Sequence, residues 1–145
     1  ELMDAIQSEK MTFFLDSCYS GGITRSTRAL AMAGVRAESV APDAYQAFAG
    51  RGRAVLAASQ PNQISLELGP PIEHGVFSYY LIEALNGSAD TNRDGAVDLL
   101  ETVGYLSARV PEKVRQAGGK QEPLFDGRGI TNPHLFVLAQ NPIGK

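Results

Sequence analysis

Short apolar runs and longer helix-like segments follow one another along this chain. Residues 11–15 (Met-Thr-Phe-Phe-Leu) and 54–58 (Ala-Val-Leu-Ala-Ala) are continuous apolar runs. Such runs predict strands that are buried on both faces, whereas an edge strand alternates apolar with polar residues. A third run at 135–139 (Leu-Phe-Val-Leu-Ala) predicts another buried strand near the C-terminus.

Two segments have the periodicity of helices. Residues 75–85 place six apolar side chains on one helical face, and the pair Asn86-Gly87 supplies a C-terminal stop. A second helix is predicted from about Leu99 to Val110, and Pro111 should bend or end it.

Buried strands separated by helices and loops favour an α/β fold with a largely parallel sheet and helices on both faces. At 145 residues, the chain has the length of one domain. In such sheets, chemistry gathers just beyond the carboxyl ends of the strands. Cys18 and Ser59 both occupy such positions.

Charge and composition exclude several classes of protein. The net charge of −3, from 13 basic and 16 acidic side chains, argues against a nucleic-acid partner. No apolar run approaches the roughly 18 to 20 residues that span a bilayer, so we expect no membrane partner. One cysteine cannot form an internal disulfide, and we expect a soluble, cytoplasmic protein.

The single thiol, Cys18, has the surroundings of a nucleophile. A cysteine that only fills space is expected inside the apolar run. Cys18 instead follows Asp16-Ser17 and precedes Ser20-Gly21-Gly22, where glycines let a substrate carbonyl approach backbone N–H groups. The pattern therefore favours covalent catalysis by a thiolate.

The segment 13–22 (Phe-Phe-Leu-Asp-Ser-Cys-Tyr-Ser-Gly-Gly) resembles the catalytic-cysteine strand of the caspase-like peptidases, and it is most similar to metacaspases and bacterial orthocaspases. The resemblance continues through residues 54–60, 73–80 and 121–125. It implies a caspase-like α/β/α sandwich, of which this chain is the C-terminal part and lacks the N-terminal strands. Residues 1–22 would form the cysteine strand and loop, 23–53 an exposed connection, and 54–145 the remaining strands and helices.

The resemblance implies a Cys-His dyad endopeptidase in which Cys18 attacks the peptide carbonyl and its backbone N–H helps to bind the oxyanion. In this family the histidine precedes the cysteine, but none of the 17 residues before Cys18 is His. We therefore expect the base on a preceding segment, supplied as an N-terminal fragment of the same precursor. His74 and His134 match no catalytic motif of the family, and we interpret both as structural.

Asp16 is the second candidate site residue. In metacaspase-like sequences the matching acidic residue forms the floor of the primary specificity pocket, which implies cleavage after Arg or Lys. The alternative is that Asp16 only caps its loop by accepting backbone hydrogen bonds. Ser59, at the end of the next strand, is predicted to line the substrate cleft. The chemistry would need no cofactor.

The connection at 23–53 contains arginines that an Arg-preferring enzyme could cut in its own precursor. Arg25, Arg28 and Arg36 are the candidate sites. The alternative is a solvated loop whose arginines only aid solubility.

Residues 90–101 fit a twelve-residue calcium loop. The sharp turn would fall at Gly95, and the predicted ligands are Asp90, Asn92, Asp94, Ala96 through its carbonyl, Asp98 and Glu101. The alternative is a tight turn between two helices, because such loops usually bind calcium in pairs and only one is present.

Two functions of other classes compete with the endopeptidase. A catalytically inactive caspase-like module could act as a binding or regulatory partner, and could sense calcium. A small calcium-binding protein is the third interpretation, but it leaves the Cys18 motif and the three strands unexplained.

Overall fold

The computed structural model describes residues 6, 8–16, 36–38, 48, 50–60, 63, 65–70, 72 and 74–140. These residues form seven strands and two α-helices. The strands are β1 (Met11–Leu15), β2 (Arg36–Glu38), β3 (Arg53–Ala57), β4 (Ser65–Glu67), β5 (Ala96–Asp98), β6 (Leu124–Asp126) and β7 (Val137–Gln140). The helices are α1 (Val76–Glu83), followed by a π-helical turn at Ala84–Ser88, and α2 (Leu99–Gln116).

The central sheet has the order β1-β3-β6. β1 runs parallel to β3, and Leu15 lies opposite Ala57 at their carboxyl ends. β6 pairs with β3 in the antiparallel sense, so the described sheet is mixed. β3 lies between two partners and residues 54–57 are at most 2% exposed, which explains why its sequence is an unbroken apolar run.

Both predicted helices are present, and they pack together over the main core. α1 begins after Gly75, and the predicted stop is confirmed at Gly87, whose φ of 107° favours glycine. α2 continues through Pro111 to Gln116, so of the two predicted effects of Pro111, bending or ending the helix, the second is wrong. The buried stripe includes Val110, just before the proline, and continues beyond it to Val114. This packing stabilises the last turns of the helix.

The hydroxyl of Tyr105 joins the two helices by donating a hydrogen bond of 2.8 Å to Glu83 Oε1. Burial and the hydrogen bond to this carboxylate raise the pKa of the Tyr105 phenol. The Tyr105 phenol therefore keeps its proton across the neutral pH range and can donate this hydrogen bond.

The prediction of a buried strand at 135–139 is wrong in two respects: the strand begins later, and its first residue is exposed. Pro133–Leu135 is a 3₁₀ turn, which Asn132 caps by accepting a hydrogen bond from the His134 backbone, and β7 begins only at Val137. β7 forms a two-stranded ribbon with β5, so Val137 is 49% exposed.

Part of the predicted exposed connection is a strand. β2 pairs antiparallel with β4, with Arg36 opposite Glu67 and Glu38 opposite Ser65. The rest of residues 23–47 lies outside the described residues. Within the described part of the chain, no helix is long and apolar enough to cross a membrane.

Candidate active site at the carboxyl end of β1

Asp16 follows β1 directly and lies at the edge where β1 and β3 both end. The backbone N–H of Ala58 donates to the Leu15 carbonyl (2.9 Å), which keeps the two chains paired up to this edge. The side chain of Asp16 is exposed here. An exposed carboxylate is thus fixed at the end of the sheet where ligands bind in α/β folds.

The first turn of α1 holds the Asp16 carboxylate. The backbone N–H of Ser78, the third residue of α1, donates to Asp16 Oδ2 at 3.2 Å, and the Ser78 hydroxyl donates to the same oxygen. Gly75, the N-cap residue, has no side chain that could cap the helix. Asp16, from a distant part of the chain, therefore caps the N-terminus of α1.

The second carboxylate oxygen of Asp16 contacts β4. The hydroxyl of Ser65 donates to Asp16 Oδ1 at 3.3 Å. Ser65 is 2% exposed, so this contact approaches the carboxylate from the protein interior. The sequence predicted a role for Asp16 but not these partners.

Gln121 connects this site to the end of β3 and is 1% exposed. Its Nε2 donates to the Ala58 carbonyl (2.8 Å) and to Ser65 Oγ (3.3 Å), and its Oε1 accepts from the backbone N–H of Leu66 (2.8 Å). The side chain thereby satisfies two buried backbone groups, the Ala58 carbonyl and the Leu66 N–H, and also contacts the Ser65 hydroxyl. Ser65 Oγ thus accepts from Gln121 and donates to Asp16.

Ser59 follows β3 and is fully buried. Its hydroxyl donates to the Gln63 carbonyl at 3.2 Å, which closes the turn after the strand. Contact of Ser59 with a substrate stays a prediction. Cys18, two residues beyond Asp16, lies outside the described residues, as do Arg25 and Arg28.

The loop at 90–101 is closed by its own side chains. Asp90 Oδ2 accepts from the Gly95 N–H (3.1 Å), and Asp94 Oδ1 accepts from the Ala96 N–H (2.9 Å). Asn92 Oδ1 accepts from the Asp94 N–H at 2.8 Å. These bonds form the tight turn that the glycine and the Asp/Asn positions predicted.

Asp98 and Glu101 form a capping box at the start of α2. Glu101 N–H donates to Asp98 Oδ1 (2.8 Å), and Asp98 N–H donates to Glu101 Oε2 (3.0 Å). Glu101 Oε1 also accepts from the N–H of Thr91 at 3.0 Å. The carboxylate predicted to close a calcium shell is thus engaged by backbone donors.

The metal interpretation of this loop stays a prediction. Among the described residues, no three His, Cys, Asp or Glu side chains are grouped so that they could hold a metal ion. Oδ1 of Asp90 is buried and has no hydrogen-bond partner within that same part of the chain. The alternative, a tight turn between two helices, accounts for the hydrogen bonds of the loop but gives no role to this Asp90 oxygen.

Within the described part of the chain, neither histidine has a contact that suggests a base. His134 Nδ1 lies 2.8 Å from Asp98 Oδ2, which ties the 3₁₀ turn to the start of α2. His74 is exposed and precedes Gly75, at the start of α1. The contact of His134 agrees with the predicted structural role, and the structural role of His74 stays a prediction.

A scan against family models matches residues 1–134 to the caspase domain. The chain belongs to the caspase-domain family. The members of this family are cysteine peptidases, and the mixed α/β architecture agrees with a caspase-like domain. A search of curated proteins returned no match.

Sequence reasoning missed three residues of the caspase-domain site. Ser65, Ser78 and Gln121 contact Asp16 or one another, although they are far from it in the chain. Gln121 begins one of the segments that carried the resemblance, and that was the signal available. Ser78 lies within another of these segments, 73–80, whereas Ser65 is a common residue with no local pattern that marks it.

Proposed function

We propose that this protein is a cysteine endopeptidase that cleaves after Arg or Lys. Cys18 is the nucleophile, Asp16 binds the basic side chain before the cut bond, and a histidine on a segment outside this chain is the base. The proposed partners are peptides and proteins with a basic residue at that position, together with the N-terminal fragment that carries the histidine. The reaction requires no cofactor.

The observation that carries this proposal is the Asp16 carboxylate at the carboxyl end of β1, two residues before the only cysteine. Membership of the caspase-domain family supports a thiol nucleophile, and Cys18 is the one cysteine of the sequence. The exposure of Asp16 supports contact with a substrate, since a guanidinium or an ammonium pairs strongly with a carboxylate.

The proposed reaction has two steps. The histidine removes the Cys18 proton, the sulfur attacks the peptide carbonyl, and the histidine then gives that proton to the departing amine. Water next attacks the thioester, which releases the acid and restores the thiol. Arginines of the connection, including Arg36 in β2, are proposed sites of processing by the same reaction.

We test this function with peptides that differ only in the residue before the cut bond: Arg, Lys or Asp. The enzyme is this chain together with its preceding segment. Turnover of the Arg and Lys peptides is expected, and Cys18→Ala should lower it by about 10⁴-fold or more, since residues of a catalytic unit have such effects.

A preference for Asp would overturn the specificity. A correctly folded protein that cuts none of the three peptides would instead support a binding module. Circular dichroism of the unaltered protein and of Cys18→Ala establishes the folding in both cases.

A further inference from the structure

The Asp16 carboxylate is more completely hydrogen-bonded on one oxygen than on the other. Two bonds reach Oδ2, both from Ser78, and one bond reaches Oδ1, from Ser65. An ionised carboxylate offers about four acceptor positions, two on each oxygen. Counting donors among the described residues, one position remains, and it is on Oδ1.

The two hydroxyl donors are held in these directions by their surroundings. Ser65 Oγ donates to Asp16 Oδ1 (3.3 Å) and accepts from Gln121 Nε2 (3.3 Å), so two bonds hold this side chain. Ser78 is fixed in the first turn of α1, where its backbone N–H already points at Oδ2. Turning either hydroxyl away would break its bond to Asp16.

Gly75 encloses Oδ2 from another side. A Cβ atom on this residue would lie 2.6 Å from Asp16 Oδ2, which is closer than real Cβ contacts allow. Oδ2 is therefore packed against the N-terminus of α1 by Gly75 and Ser78 together. Among the described residues, the acceptor position left for a substrate cation is therefore the one on Oδ1.

We infer that Ser65 and Ser78 are positioning residues that leave Asp16 with one acceptor position for the substrate. The site therefore takes Arg and Lys with similar efficiency. A guanidinium gains over an ammonium chiefly when it can form two parallel bonds, one to each carboxylate oxygen. With Oδ2 filled by Ser78, that fork cannot form. This inference rests on the proposed function, and it explains why the proposed site accepts both Arg and Lys.

Ser78→Ala tests the inference because it frees one acceptor position on Oδ2 while the backbone bond stays. The measured quantity is kcat/KM for an Arg peptide divided by kcat/KM for the matching Lys peptide. We expect a ratio within about threefold of one in the unaltered protein, and a rise of roughly tenfold in Ser78→Ala, the effect of one added bond to a charged group. The gain should appear mainly in KM for the Arg peptide.

Two further variants separate positioning from folding. Ser78→Thr keeps the hydroxyl and should keep the unaltered ratio. Ser107→Ala, on the exposed side of α2, is the matched control and should also leave the ratio unchanged. Because the ratio compares two substrates on the same preparation, a loss of folded protein cancels.

If Ser78→Ala does not fold, Ser65→Ala replaces it and should lower the turnover of both peptides equally, since it loosens Asp16 without freeing Oδ2. An unchanged ratio in a folded, active Ser78→Ala overturns the inference and leaves the proposed function standing. A strong preference for Arg in the unaltered protein overturns it in the same way. Absence of turnover of either peptide by the unaltered protein overturns the proposed function and this inference with it.

Discussion

Asp16→Asn is expected to lower kcat/KM for Arg and Lys peptides by about 10²-fold, the effect of removing one partner of a hydrogen-bonded charge pair. Asparagine has nearly the same shape, and it is as good a helix cap as aspartate. It therefore keeps an acceptor for the Ser78 N–H at the start of α1. The decrease in kcat/KM therefore measures the contribution of the negative charge of Asp16, which the proposed basic substrate needs.

Asp126→Asn is the matched control for this prediction. Asp126 also ends a strand, but its carboxylate accepts from Arg128 Nε at 3.0 Å. The hydrogen bond from Arg128 lowers the pKa of Asp126. Steady-state kinetics should show unchanged turnover in Asp126→Asn. Turnover within about threefold of the unaltered protein in Asp16→Asn would mean that Asp16 only caps α1.

Gln121→Ala is expected to lower the free energy of unfolding by about 3 kcal/mol, from two buried groups left without partners and a cavity in place of the amide. The backbone N–H of Leu66 and the carbonyl of Ala58 lose the bonds that they now make to this side chain. Chemical denaturation followed by circular dichroism measures the change.

Gln63→Ala is the matched control. Gln63 also makes two side-chain bonds, to Glu122, but both are exposed and water can replace them. Gln63→Ala should lower the free energy of unfolding by less than about 1 kcal/mol. Equal effects of the two substitutions would contradict the account of Gln121 as the buried link between β3, β4 and the site.

The elements that sequence reasoning found are those whose burial is visible locally. β3 is buried as its apolar run predicts, and α1 and α2 carry an apolar stripe. β1 is a strand as predicted but is only half-buried, so the prediction that both of its faces are buried is wrong. The three-residue strands escaped because a partner far along the chain creates each of them. β6, for example, pairs with β3, where Val55 lies opposite Asp126. The error at 135–139 has a similar cause, since Pro133 and Asn132 start a 3₁₀ turn that delays the strand.

The candidate site divides in the same way. Asp16 and Cys18 belong to one continuous motif, so the sequence pointed to both. Ser65 and Ser78 lie 49 and 62 residues from Asp16, and only the fold brings their hydroxyls to its carboxylate. The loop at 90–101 shows the converse, because a local pattern predicted its turn but not that backbone N–H groups would engage Glu101.

Covalent labelling of Cys18 tests the central claim most directly. An arginyl chloromethylketone and its aspartyl counterpart are added separately to the chain with its preceding segment, and mass spectrometry follows the labelled peptide. The thiolate displaces chloride in both reagents, and the chain has one cysteine, so a thiol label on it identifies Cys18. The account predicts fast labelling of Cys18 by the arginyl reagent and at least tenfold slower labelling in Asp16→Asn, from the loss of one charge-assisted contact. Equal or faster labelling by the aspartyl reagent, or an unlabelled Cys18 in the folded protein, would contradict it.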